Sequence, residues 1–86
     1  DDPKRVVLKV SAYQSKFIRT LPLHHTQQEE ETTNDYSIFS YYLCPHAYDF
    51  KQAILALMAE AEVLEPRSLR DEIAEIIRML AIKYDA

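Results

Sequence analysis

Residues 5–10 read RVVLKV, with Val6, Leu8 and Val10 on one side and Arg5, Val7 and Lys9 on the other. A period of two in β-branched residues predicts a half-buried strand. In SAYQSKFIRTLP, which follows, Tyr13, Phe17 and Leu21 recur every four residues with Ile18 beside them, Ser11 stands as an N-cap and Pro22 as a stop. This predicts a short amphipathic helix that buries the aromatic stripe. TQQEEE, residues 26–31, has no apolar residue on either face, whereas YSIFSYYL, residues 36–43, is apolar on both, and TTND between them is turn chemistry. The pair predicts a hairpin of one exposed and one central strand, with Phe39, Tyr41 and Leu43 facing the core and Tyr36, Ile38 and Tyr42 facing away. Past Pro45, the residues Phe50, Ala53, Ile54, Leu57 and Met58 form a helical stripe at i, i+3, i+4, i+7 and i+8. AEVLE, residues 61–65, predicts a short strand. The last helix carries Leu69, Ile73, Ile76, Ile77, Leu80 and Tyr84 on its core-facing side, after Pro66 and a capping-box-like Ser68 and Asp71. Met79 and Ile82 point well away from that stripe.

The order β, α, β, β, α, β, α is an α+β pattern and predicts a ferredoxin-like βαββαβ sandwich with an additional C-terminal helix. In that topology strands one and three are central. The strand with two apolar faces then falls in the centre and the Glu-rich one at an edge, where charge discourages unwanted strand pairing.

Eighty-six residues predict one domain spanning 1–86, since two cores cannot be built from so short a chain. The opening DDPKR, starting at Asp1 and not at Met, reads as a cut through a linker, so the chain is expected to be the C-terminal fragment of a longer protein. No run approaches the roughly 18 apolar residues of a membrane span, and no basic leader precedes an apolar segment, so no membrane partner is expected. The single Cys44 cannot form an internal disulfide, which makes the cytoplasm the expected location. A net charge of -4 makes this piece a poor binder of nucleic acid. The absence of glycine removes phosphate-cradling loops, and nucleotide chemistry with them.

Candidate chemistry is sparse. His24, His25, His46 and Cys44 raise a metal site or a Cys-His nucleophile, but adjacent histidines do not converge, and neighbours two apart at a strand end need not meet. They read as loop histidines and a buried cysteine. The run Glu29–Glu31 reads as a solvated edge. No catalytic residue, no cofactor and no metal is expected. The candidate partner-contact residues are Tyr36, Ile38 and Tyr42 on the outer face of strand three, and Met79 and Ile82 on the last helix. Outer-face aromatics also raise single-stranded RNA recognition, against which stand the Arg5, Val7 and Lys9 of strand one and the negative charge.

PLHHTQ at 22–27, YDFKQAIL at 48–55, VLEPRSLRDEIAEI at 63–76 and the closing KY at 83–84, in that order, resemble the C-terminal extension (WCX) domain of bacterial WYL-domain transcriptional regulators. The resemblance covers nearly the whole chain. It implies a ferredoxin-like fold that serves dimerisation and regulation, without catalysis. Its implied partners are a second copy of the chain, the WYL domain of the same protein, or both. DNA is then contacted only through an N-terminal helix-turn-helix domain absent from this chain. The Trp-Tyr-Leu motif of the WYL domain is not here, since the chain has no Trp. The family usually carries a glycine after the second helix, about where Met58 stands. Either that helix runs on to about Glu60 or it ends in another way. The alternative function is an ACT-like small-molecule-binding regulatory domain, which needs no catalytic signature.

Overall fold

Strand β1 (Lys4–Ser11) runs into helix α1 (Ala12–Thr20) with no connecting residue, Ser11 ending the strand and capping the helix through its Oγ, which accepts from the Gln14 N–H at 3.1 Å. Then come β2 (Gln28–Thr32), β3 (Tyr36–Leu43), α2 (Tyr48–Leu55), a 3-10 turn at Met58–Glu60, β4 (Ala61–Glu65) and α3 (Arg67–Tyr84). This computed structural model describes residues 2–85; Asp1 and Ala86, the ends of the expected domain and its expected linker, lie outside the described residues. The described residues form an α+β fold: one four-stranded antiparallel sheet in the order β2-β3-β1-β4, with three α-helices. The strands with most apolar side chains, β1 and β3, occupy the centre, and Glu-rich β2 an edge.

Alternation puts Val6, Leu8 and Val10 of β1 and Phe39, Tyr41 and Leu43 of β3 on one face, all buried as the pattern predicts. Phe50 and Ile54 of α2, Val63 of β4, and Leu69 and Ile73 of α3 complete that core. The Tyr41 and Phe50 rings meet edge to face at 5.3 Å, which seats α2 on β3. Because Leu69 and Ile73 join the same cluster as Leu8 and Phe39, α3 packs in the helix layer and leaves the Tyr36, Ile38 and Tyr42 face open.

Four expectations are corrected. On α1, the stripe Tyr13, Phe17 and Leu21 is exposed, and Ser15 and Ile18 are buried in its place. With no loop between β1 and α1, the exit of the strand sets the rotation of the helix. Small Ser15 lies against the sheet, its hydroxyl donating to the Ser11 carbonyl at 2.7 Å. On α3, no capping box forms. Pro66 occupies the N-cap position, its carbonyl accepting from the Leu69 and Arg70 N–H groups, while Asp71 pairs with Arg67 at 3.2 Å. Third, the core-facing stripe of α3 is buried only in its first half. Ile77, Leu80 and Tyr84 are 52%, 44% and 85% exposed. Last, Met58 lies outside the second helix, fully at the surface: α2 stops at Leu55, and Met58 takes φ 56°, the left-handed conformation in which glycine is at home.

The glutamates of β2 also differ from a merely solvated edge. A register shift between Glu29 and Glu31 sends Glu29, opposite Phe39, toward the helices, and Glu31, opposite Ile38, toward the open face. Arg19 of α1 meets Glu29 through two donors, at 2.8 and 2.6 Å, and Ser37 and Thr32 each donate to the same carboxylate at 2.7 Å. Glu30 accepts from Ser40, and Glu31 from the Tyr36 hydroxyl at 3.3 Å.

Candidate functional site

The residues singled out in the sequence fall on two separate surfaces. Tyr36, Ile38 and Tyr42 share the open face of the sheet, with Tyr36 and Ile38 half-buried and Tyr42 exposed. Lys9 from β1 lies over the Tyr36 ring at 4.5 Å, and the nearby Glu31 charge raises the Tyr36 pKa above its ordinary value. Val7 and Ser40, between the tyrosines, are buried by their neighbours. The face is therefore a mosaic of tyrosine, basic and acidic side chains and not a continuous apolar patch. Strand β1 adds no aromatic side chain to the face.

Met79 and Ile82 lie on the distal half of α3, and both are exposed. Their setting follows from how α2 and α3 pack. The two helices run side by side in the same direction, His46 just before α2 meeting Ser68 and Glu72, Lys51 meeting Glu72 at 2.6 Å, and Leu55 sharing a hollow with Ile76. Lys51 first, and then His46, lower the Glu72 pKa. At the other side of α3, Arg70 donates to Glu62 at 2.7 Å and to the Val63 carbonyl at 2.8 Å, fixing the helix to β4. Since α2 ends at Leu55, opposite Ile76, α3 passes it and runs on to Tyr84 with every residue from Ile77 exposed.

A third surface was not legible in advance. Between α1 and α2 lies a groove of about 550 Å³, lined by Gln14, Phe17, Ile18, Thr20, Leu21, Leu23, Ala53, Ala56 and Leu57. None of these carries a charge. Phe17 and Leu21, expected in the core, form its outer wall, at 53% and 79% exposure, and Tyr13 packs edge-on against Phe17 at 5.2 Å. The small side chains of Ala53 and Ala56 leave the space open. The available signal was the zero-length connection between the predicted strand and helix, which takes the phase of α1 away from its apolar stripe.

His24 and His46 are held by different partners. His24 Nδ1 lies 2.7 Å from the Thr26 hydroxyl, and Thr26 is itself tied to the backbone N–H of Tyr42 at 3.0 Å. Burial, with the adjacent His25, lowers the His24 pKa below its ordinary value. His46 meets Glu72 and Ser68 on α3. Cys44 lines a cleft of about 340 Å³ with His24 and Asp49. Among the described residues, no three His, Cys, Asp or Glu side chains are grouped so as to hold a metal ion. PLHHTQ instead builds a brace: Gln27 accepts from the buried Tyr41 hydroxyl at 2.7 Å and from the Leu23 N–H at 3.1 Å, and donates to the Ile18 carbonyl at 2.8 Å. Burial raises the Tyr41 pKa.

Such a chain is a small α+β domain with an open sheet face, an exposed helix end and an uncharged groove. The model of the WCX domain family matches residues 2–81, and the chain belongs to that family, a family of regulatory domains. A separate comparison with curated proteins finds no match. Among the described residues, no helix is long and apolar enough to cross a membrane.

Proposed function

We propose that the chain is the non-catalytic C-terminal association module of a bacterial, cytoplasmic WYL-type transcriptional regulator, holding two copies, or the module and its WYL domain, in a geometry that a DNA-binding end can use. The observation that carries this reading is the distal half of α3, a helix end that exposes Ile77, Leu80 and Tyr84 on one side and Met79 and Ile82 on the other. The strand order, read β4-β1-β3-β2 along a βαββαβ path, supports the ferredoxin-like description, with α3 as the added helix. Of the candidate contact residues, Met79 and Ile82 belong to this helix end. Tyr36, Ile38 and Tyr42 mark the sheet face as a second docking surface, suited by its mixed charges to a polar partner domain. A twofold pair of modules would bring two helix-turn-helix domains to a palindromic operator. Light scattering during size-exclusion chromatography, over loading concentrations from about 10 to 500 μM, is expected to show a mass rising to that of a dimer. A mass fixed at one chain throughout would remove self-association from the reading.

A second reading, an ACT-like small-molecule regulatory domain, is favoured by a hollow of about 360 Å³ where Lys9, Ser11 and Tyr36 meet Glu60 and Glu62. A metabolite retained through native mass spectrometry would favour it over a purely associative role.

A further inference from the structure

The stripe that buries Leu69 and Ile73 continues beyond α2 as Ile77, Leu80, Ala81 and Tyr84, an i, i+3, i+4, i+7 set with no charge among them. Arg78 and Lys83 lie off that stripe, and Met79 and Ile82 on the opposite side of the helix. The groove between α1 and α2 is equally uncharged, walled by Phe17 and Leu21 and floored by Ile18 and Ala53. An amphipathic helix with anchors at this spacing is the natural occupant of such a groove. The chain's own helix cannot be that occupant. Tyr48, Lys51 and Leu55 face α3 from one side of α2, whereas Ala53, Ala56 and Leu57 face the groove from the other. Helix α3 is unbroken from Arg67 to Tyr84 and so cannot double back across α2.

We propose that the distal half of α3 docks in the α1–α2 groove of a second copy, whose own α3 returns the contact about a twofold axis. The proposal rests on the self-association reading above and names its surface. One eight-residue arm is about 12 Å long. Two reciprocal insertions bury twice the area of one, which favours the twofold arrangement where stable interfaces bury roughly 1,200–2,000 Å². Reciprocity also closes the assembly at two copies, whereas one arm per groove without closure would propagate as a filament.

The test is light scattering of the full chain with three substitutions at exposed positions, folding being checked by far-UV circular dichroism. Leu80→Asp charges the arm and Leu21→Asp the groove; each is expected to raise the dimer dissociation constant at least ~30-fold, while Lys16→Asp, at an exposed position of α1 outside the groove lining, changes it less than ~3-fold. Mixed in equal amounts, the arm and groove variants keep one intact contact in the heterodimer, which native mass spectrometry is expected to show in excess over both homodimers. Should Leu80→Asp lose helicity, Tyr84→Asp in the exposed last turn takes its place. A wild-type dimer that Leu80→Asp and Leu21→Asp leave unchanged overturns this contact while self-association stands. A wild-type chain that stays monomeric overturns both, and growth into larger oligomers overturns the twofold closure.

Discussion

Met58 holds its left-handed backbone at a cost of about 1 kcal/mol to a residue with a side chain. Its own side chain, fully at the surface, recovers little of that. Met58→Gly is therefore expected to stabilise the fold by about 0.5–1 kcal/mol, read as a higher urea midpoint at unchanged slope. A lower midpoint would mean that the thioether contributes packing which exposure alone does not reveal. Glu29 offers a test in pH. Its hydrogen bonds with Arg19 outweigh desolvation and, helped by Ser37 and Thr32, bring its pKa down from the ordinary 4.5 to about 2. A lowered carboxylate pKa stabilises the fold fully above pH 4.5, and that contribution is lost as pH falls toward about 2. Because the pair is partly exposed, the contribution is small and screened by salt. Carbon-detected NMR titration of Glu29 is expected to give a midpoint near 2, and Arg19→Ala to return it toward 4.5. An unmoved midpoint would assign the shift to the two hydroxyls.

Within α3, one repeating pattern serves two environments. Leu69 is wholly enclosed beside Val63 and Leu8, while Leu80, three turns on along the same stripe, stands clear of the domain. Leu69→Ala is accordingly expected to cost about 2–5 kcal/mol. Leu80→Ala, measured in the dilute monomer, should stay within about 0.5 kcal/mol. Equal losses at the two positions in chemical denaturation would mean that the distal half folds back on its own domain. Helix α1 shows the complementary case. Its apolar repeat at Tyr13, Phe17 and Leu21 resembles a core stripe, yet the strand before it dictates which side meets the sheet, and that side holds Ser15. Periodicity reports that a helix has an apolar side; it does not report what covers that side.

At the level of the whole molecule, the elements, their order, the central placement of β1 and β3 and the core side of both strands were all readable, because each follows from a period of two or of 3.6 in adjacent residues. The turn at Met58 was readable as a question, through the absence of a glycine where one was expected. The groove between α1 and α2 was hidden, since it depends on the spacing of two helices distant in sequence and on the small size of Ala53 and Ala56. The distal projection of α3 was hidden for a related reason: it arises only because α2 stops at Leu55, twelve residues before α3 begins at Arg67.

The central position of β1 has a bearing on how the chain is made. Its two neighbours in the sheet are β3 and β4, so Val6, Val7, Leu8 and Val10 find their last partner only at Ala61–Glu65. At about 5–20 residues per second, that interval lasts on the order of several seconds. During synthesis this apolar central strand therefore waits with one edge unpaired, and it is closed off on both sides only when β4 has been made.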